Sequence, residues 1–197
     1  MQTTDGTAQG ARSRATLIVG IVLAFGAGLL TGYLIGAGGP ATQMDIPEPV
    51  YRVDVGASPV LGPQSAPVTV VLFTDFKCPF CKKARGLLEK LRTRYGDDIR
   101  IVFKHYPVKS DAEVHEAAVA AMAQGQFWAF HDRLFEHSGR VDRAVLERIA
   151  AELGMDVNRF RGELDRHAYR STVQRDKNQG QALGVTGTPT LFINGRK

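Results

Sequence analysis

Cys78 and Cys81 are the only cysteines of the chain, and they stand three positions apart in the sequence Cys78-Pro79-Phe80-Cys81. A pair this close can form a small disulfide ring, and one of its thiolates can attack a disulfide on another molecule. The same spacing is also half of a zinc site, which needs four ligands. The pair therefore indicates either thiol-disulfide exchange or metal binding.

Histidines would have to complete a zinc site, but they lie far along the chain from the cysteine pair. They are spread from His105 to His167, and no second C-x-x-C accompanies them. We therefore expect no metal and no other cofactor, and we interpret these histidines as structural or solvated side chains. A metal carrier remains a minor alternative.

The cysteine pair lies where a strand gives way to a helix. Val68 to Phe73 is a continuous run of β-branched and apolar residues after Pro67, which is typical of a strand buried on both faces. A helix is predicted to begin at the cysteines and to end near Gly96, because apolar residues follow Pro79 at helical spacing. These apolar residues are Ala84, Leu87, Leu88 and Leu91.

This position gives the two sulfurs different chemistry. Cys78 is expected at the helix N-terminus, where unpaired backbone N–H groups and the helix dipole favour its thiolate. Basic side chains nearby act in the same direction, and Pro79 suits the first turn because it lacks an N–H. Cys81 should turn back into the helix and be shielded. We therefore predict that Cys78 forms mixed disulfides and that Cys81 resolves them.

The elements after the helix complete the predicted domain. Ile99 to Lys104 is a second strand, so strand, helix and strand form a βαβ unit with a parallel core. Residues 111–183 are predicted to be helical, with breaks near Gly125, at 138–139 and near Gly154. The chain returns to a strand at residues 190–193.

Thr188 and Pro189 directly precede this last strand. A cis peptide bond between them would leave a neighbouring backbone group free to pair with an extended peptide. An ordinary turn before an edge strand explains the same residues equally well.

The N-terminal region contains a candidate membrane segment. No charged side chain occurs from Ala15 to Met44, and the apolar stretch from Leu17 to Ile35 is long enough to cross a bilayer. Arg12 and Arg14 precede it, so the positive-inside rule predicts a cytoplasmic N-terminus and an exported domain. We favour an uncleaved signal-anchor over a cleaved signal peptide, whose apolar region is usually only about 7 to 15 residues.

The charge pattern argues against a nucleic-acid partner. The formal charge of +5 comes from 25 basic residues scattered among 20 acidic ones, without a basic stripe interleaved with aromatic residues. We interpret the excess as solvated surface.

Four separated motifs together resemble the DsbA-type branch of the thioredoxin superfamily. They are Val70-Val71-Leu72-Phe73-Thr74-Asp75-Phe76-Lys77-Cys78-Pro79-Phe80-Cys81, Phe103-Lys104-His105-Tyr106-Pro107, Gly125-Gln126-Phe127-Trp128, and Gly184-Val185-Thr186-Gly187-Thr188-Pro189-Thr190-Leu191-Phe192-Ile193-Asn194-Gly195. The resemblance extends from about Ser58 to the end of the chain.

The resemblance implies an α/β, thioredoxin-like fold with an inserted helical subdomain, here preceded by one N-terminal transmembrane helix. The expected organisation is a cytoplasmic tail at 1–14, the signal-anchor at 15–38, a linker at 39–56 and the DsbA-like domain at 57–197. The resemblance also implies a redox-active disulfide between Cys78 and Cys81, with Pro79 and Phe80 in the active-site loop. A cis Pro189 would pack against the cysteines, and Thr188 would face the peptide substrate.

The implied partners are thiol or disulfide groups of exported proteins and a membrane redox partner, either a quinone-linked oxidase or a reducing transporter. The implied location is the inner or plasma membrane, as a single-pass protein with its catalytic domain in the periplasm or outside the cell.

Three departures from the family pattern bear on these expectations. Leu72 occupies the position of a buried acid that often assists proton transfer to the resolving cysteine, and nearby Asp75 could be either a catalytic or a solvated strand-end carboxylate. Phe80 stands where strongly oxidising relatives have histidine, which favours a less depressed Cys78 pKa. The chain ends at Lys197, where family members continue with another strand and a helix, a pattern typical of a fragment or a shortened domain.

We therefore predict a protein thiol-disulfide oxidoreductase, with oxidation of substrate thiols as the preferred direction. A disulfide reductase or isomerase is the first alternative. A non-catalytic peptide-binding module that uses the same fold is the second.

Overall fold

The computed structural model describes residues 49–137 and 141–197. The predicted tail at 1–14, the predicted transmembrane helix at 15–38 and the linker up to residue 48 lie outside these ranges. Within them, no helix combines the length and the apolar character that crossing a membrane requires.

A mixed sheet of four strands forms the centre of the domain. Its strands are β1 (Val60–Leu61), β2 (Val68–Thr74), β3 (Ile99–His105) and β4 (Thr190–Ile193), in the order β1-β3-β2-β4. β2 and β3 are parallel, as the βαβ pattern predicts, and Thr74 lies opposite His105 at their carboxyl ends. β1 and β4 are antiparallel edge strands. β1 was not predicted, because two residues are too few to show a periodicity.

Helix α1 (Pro79–Tyr95) connects β2 to β3 and is followed by a short 3-10 turn at Gly96–Asp98. Both of its ends agree with the sequence prediction, since Cys78 is the N-cap and Gly96 ends the helix with a φ of 52°. Leu88 is buried on its inner face, where it packs against Leu72 and Ile101 of the sheet. The inner face of α1 thereby packs against the sheet.

Five helices lie between β3 and β4 and form the predicted helical subdomain. They are α2 (Ala112–Met122), α3 (Phe127–Glu136), α4 (Arg143–Glu152), α5 (Val157–Asp165) and α6 (Arg170–Ala182). The predicted breaks near Gly125 and Gly154 are confirmed, and both glycines have a positive φ, at 73° and 68°. The break predicted at 138–139 lies outside the described residues. A further break separates α5 from α6, where His167 takes a φ of 50°. No glycine or proline marks that break in the sequence.

Both faces of the sheet are covered, as the continuous apolar run of β2 predicts. On one face Phe73 and Phe192 lie in a cluster to which Tyr51 adds its ring, with a centroid distance of 5.5 Å from Phe192. Burying a side chain such as Phe192 contributes about 1.5–3 kcal/mol. Residues 50–55, assigned to the predicted linker, therefore pack against the sheet. Val50 also pairs with Arg196 in an isolated antiparallel bridge.

Candidate active site

The turn that joins β2 to α1 presents Cys78 as the last residue before the helix. Its backbone is extended, with φ −84° and ψ 118°, and its N–H donates to the carbonyl of Asp75 at 3.1 Å. The carbonyl of Cys78 accepts from the N–H groups of Cys81 and Lys82, at 3.1 and 3.2 Å. Cys78 is therefore the N-cap of α1, and its sulfur lies beside the amides that begin the helix.

The two thiols differ in their acidity as well as in their position. Burial acts to raise the pKa of Cys78, but hydrogen bonds from the Cys81 and Phe80 backbone and from Thr188 outweigh it and lower that pKa. Burial raises the pKa of Cys81 by more than its contacts with Thr74 and the Asp75 backbone lower it. At neutral pH the first thiol thus ionises more readily than the second, and Cys81 is only 1% exposed.

The segment before β4 forms the other wall of the site. The Thr188–Pro189 peptide bond is cis, as the resemblance implies, which decides between the two interpretations of this dipeptide. The Sγ atom of Cys78 lies 3.2 Å from the carbonyl oxygen of Thr188, although the two residues are 110 positions apart. Phe80 is 64% exposed and projects from the first turn of α1. The fold thus brings every predicted site residue into one region.

Asp75 is fully buried directly after β2, so it is a strand-end carboxylate but not a solvated one. Its Oδ1 atom accepts from the N–H of Lys77 at 2.9 Å. Its Oδ2 atom accepts from the N–H groups of Val108, Lys109 and Ser110, in the loop after β3. Burial acts to raise its pKa, but hydrogen bonds from His115, Ser110 and the backbone hold that pKa well below its usual range. Asp75 therefore ties the cysteine-bearing turn to the loop beside it.

A buried pair of histidines extends this polar region into the domain. The Nδ1 atoms of His105 and His115 lie 3.1 Å apart, and Nε2 of His115 lies 2.8 Å from the Ser110 hydroxyl. Burial lowers the pKa of both rings, so both are neutral at pH 7. The N–H of His105 donates to Asp176, which also pairs with the buried Lys104 at 3.0 Å. Sequence reasoning did not detect these pairings, because their partners lie on different elements.

The arrangement suits thiol exchange better than metal binding. In the part of the chain that the structure describes, no three His, Cys, Asp or Glu side chains are grouped closely enough to hold a metal ion. The N-terminus of α1 instead presents one acidic thiol, which is 5% exposed, with a second, less acidic thiol one turn behind it that is 1% exposed. A backbone carbonyl borders the first sulfur, and an exposed aromatic side chain follows two residues later in the chain.

Comparison with known proteins identifies a family for most of the described residues. A family model described as thioredoxin matches residues 54–197. Among curated proteins, the chain is 38% identical over 146 residues to the Na(+)/H(+) antiporter NhaA of Herminiimonas arsenicoxydans, covering 74% of this chain and 24% of the antiporter. The chain thus spans about a quarter of the length of the curated relatives it matches.

Two solved structures are similar over most of their length. A thioredoxin-like oxidoreductase from Silicibacter pomeroyi DSS-3 is 30% identical, with a TM-score of 0.63 over 69% of this chain and 79% of that one. Oxidised BdbD from Bacillus subtilis is 26% identical, with a TM-score of 0.64 over 76% of this chain and 88% of that one.

Proposed function

The chain belongs to the thioredoxin family, and from this premise we propose that it is a DsbA-like thiol-disulfide oxidoreductase that exchanges disulfides with exported proteins through Cys78 and Cys81. The observation that carries the proposal is the asymmetry of the two thiols. Cys78 has the lowered pKa and the position at the helix N-terminus, whereas Cys81 is shielded and has the raised pKa. A cysteine that attacks or leaves in thiol exchange usually lies at a helix N-terminus and has a lowered pKa.

In the oxidised protein the two sulfurs share a disulfide, and the reaction begins at Cys78. A substrate thiolate attacks Sγ of Cys78, the bond to Cys81 breaks, and Cys81 leaves with the electron pair and takes up a proton. A second substrate thiolate then attacks the substrate sulfur of the mixed disulfide, and Cys78 leaves as a thiolate. The substrate gains a disulfide and the cysteine pair gains two electrons.

The neighbours of Cys78 suggest how the substrate is held. The cis Thr188–Pro189 segment runs beside the sulfur, so its backbone can pair with an extended substrate strand. The ring of Phe80, two residues after Cys78, is exposed and offers apolar contact. We assign Thr188 and Pro189 to substrate binding, and Pro79 and Phe80 to the active-site loop.

Oxidation of substrates is the direction we propose, with a quinone-linked membrane oxidase as the acceptor of the two electrons. The reduction potential of the pair tests this direction, measured on the full chain equilibrated with glutathione and followed by thiol trapping. A value well above the roughly −270 mV of thioredoxin supports an oxidase. A value at or below it refutes that direction and favours a reductase that draws electrons from a membrane transporter. This outcome is worth testing because Phe80 stands where strongly oxidising relatives have histidine.

We further propose that the domain is anchored to the inner or plasma membrane by residues 15–38 and faces the periplasm or the cell exterior. The uncharged stretch after Arg12 and Arg14 supports this orientation. The match to part of Na(+)/H(+) antiporters is consistent with a domain held at a membrane. Whole cells are first treated with a membrane-impermeant reductant, and Cys78 is then labelled with a membrane-impermeant thiol reagent. An exported domain becomes labelled after this reduction, whereas a cytoplasmic domain stays unlabelled.

Two serine variants test the enzymatic role itself. The Cys81→Ser variant should accumulate a mixed disulfide with substrate on Cys78, because the resolving thiol is missing, and the adduct is visible as a reducible mass increase. The Cys78→Ser variant should form no adduct, since the remaining Cys81 thiol is the more deeply buried of the two and has a raised pKa. Equal behaviour of the two variants, or full function in both, would refute the proposal in favour of a peptide-binding module.

A further inference from the structure

A cavity of about 180 Å³ lies next to the second cysteine, bounded by α1, α3 and the sheet. Its wall includes Cys81 from α1, His131 from α3 and Leu72 from β2. A water molecule needs about 10–15 Å³ of such space, so the cavity has room for several. Polar side chains on the same wall, including Arg85 and Asp132, can hold them.

His131 is, besides Cys81, a buried titratable side chain on this wall. It is 5% exposed and its ring lies among aromatic rings, with centroid distances of 4.9 Å to Phe135 and 5.2 Å to Trp128. Its Nδ1 atom is 2.9 Å from Oδ1 of Asp132, which also accepts from Nε of Arg85 at 2.9 Å. Because a carboxylate only accepts, Nδ1 carries the hydrogen and Nε2 keeps a free lone pair. Asp132 therefore fixes the tautomer in which the second ring nitrogen is a base.

Cys81 needs such a base whenever it attacks. Burial raises its pKa, so at neutral pH its sulfur is protonated and must lose that proton to become a nucleophile. Leu72, two residues before the end of β2 on the same cavity wall, carries no titratable group. The Thr74 hydroxyl near Cys81 is a poor base and makes no hydrogen bond of normal geometry to the described residues.

We propose, on the basis of the thiol-disulfide exchange described above, that His131 takes the proton of Cys81 through water in this cavity and returns it in the reverse step. When Cys81 attacks a mixed disulfide on Cys78, its S–H proton passes to Nε2 of His131. The Cys78–Cys81 bond forms, and the bond to the outgoing thiolate breaks. When the internal disulfide is opened, Cys81 leaves with the electron pair and receives the proton from His131.

The charged groups around His131 allow this exchange. Burial lowers the pKa of His131, and Asp132 partly offsets that effect, so the ring is neutral and able to accept a proton at pH 7. Burial acts to raise the pKa of Asp132, but its contacts with His131 and Arg85 lower it, which keeps the carboxylate ionised beside the imidazolium that forms. His105 on β3 also interacts electrostatically with His131. Glu89 and Arg92 of α1 line the same cavity, and Glu89 is exposed to solvent.

The test follows the reduced full chain as it reacts with a limiting amount of the aromatic disulfide DTNB. The first release of thionitrobenzoate reports attack by Cys78, and the second reports attack by Cys81 on the mixed disulfide. In the His131→Gln variant we expect an unchanged first phase and a second phase slower by about tenfold or more at pH 7, since general base assistance typically contributes about 10²–10⁴-fold. The Glu89→Gln variant, which removes an exposed carboxylate from the same cavity, should leave both phases unchanged.

The pH profile of the second phase separates proton transfer from a structural effect. In the wild type, sharing one proton between Cys81 and His131 should make the rate nearly constant between about pH 6 and 8. In His131→Gln the rate should rise about tenfold per pH unit and approach the wild-type rate at alkaline pH, where Cys81 ionises by itself. The Asp132→Asn variant keeps the ring but not its charged partner, and it should lie between the two.

The outcomes are distinguishable. Parallel pH profiles for wild type and His131→Gln, or a slow second phase in Glu89→Gln, would overturn the role of His131 while leaving the exchange reaction intact. A wild type that releases no second thionitrobenzoate would refute the proposed function itself.

Discussion

Replacing Asp75 by asparagine should destabilise the domain far more than its place in a turn suggests. The carboxylate accepts N–H groups from Lys77 and from three consecutive residues, 108–110, with no exposure to solvent. An asparagine has one acceptor oxygen, so its NH₂ group must face either Lys77 or the loop. At least one buried N–H then loses its acceptor, and the remaining hydrogen bonds lose their charge.

The magnitude follows from these contacts. A buried donor without a partner costs about 1–3 kcal/mol, and charge-assisted hydrogen bonds are roughly twice as strong as neutral ones. We therefore expect Asp75→Asn to lower the free energy of unfolding by about 3 kcal/mol, which is more than a hundredfold in the folding equilibrium. Urea denaturation followed by circular dichroism measures this loss.

Asp111→Asn is the matched control, since Asp111 is 78% exposed and only pairs with Lys77 at 3.4 Å. This exposed pair should contribute no more than about 1 kcal/mol. Equal losses for the two variants, both under about 1 kcal/mol, would refute the account of Asp75 as the tie between turn and loop.

The pH dependence of the same difference provides a second check. The folded-state pKa of Asp75 lies below its value in the unfolded chain, which is about 3.9. Its contribution is therefore fully present above about pH 4 and is lost as the pH falls further, because the unfolded chain takes up the proton first. The stability difference between wild type and Asp75→Asn should be constant at higher pH and narrow below pH 4.

Two further predictions concern packing and the buried histidines. A Cβ at Gly180 would lie 2.7 Å from the Tyr106 ring, so Gly180→Ala should lower the free energy of unfolding, measured by heat or urea, by about 1–2 kcal/mol. In the control Gly86→Ala, where the space beside α1 is open, the free energy of unfolding should rise by about 0.5–1 kcal/mol. A Gly180→Ala variant more stable than the wild type would contradict this packing. Because burial keeps His105 and His115 neutral in the folded chain, the free energy of unfolding should fall by up to about 1.4 kcal/mol per histidine and pH unit as the pH drops below about 6.5. Urea midpoints between pH 7.5 and pH 5 measure this slope. Replacement of both rings by asparagine should reduce it to the part that His131 contributes, because burial lowers the pKa of that ring as well.

The sequence predicted the central part of the fold because those elements carry strong local patterns. The apolar run of β2, the helical spacing after Pro79 and the glycine at residue 96 define β2 and α1 to within a residue or two. The resemblance to a known family then located the cis Pro189 beside Cys78, which local patterns alone left open. These two sources together identified the cysteine pair and its immediate neighbours.

Contacts between distant segments were not predictable in the same way. Asp75 is held by backbone N–H groups 33 to 35 positions away, and backbone donors leave no mark on the sequence. His131 was interpreted as a solvated or locally bonded helix residue, and its hydrogen bond to Asp132 is local. Its burial and its shared cavity with Cys81 depend on how α3 packs on the sheet, which no periodicity reveals.

The separation of Cys78 from Thr188 along the chain has a consequence for biogenesis. The cysteine pair lies on the first half of the domain, whereas the carbonyl beside its sulfur is supplied 110 residues later, after the whole helical subdomain. As the chain emerges from the ribosome, both thiols are therefore exposed long before the wall that shields them exists. Before Thr188 arrives, the two cysteines can already pair with each other, and no third cysteine of the chain competes for either of them.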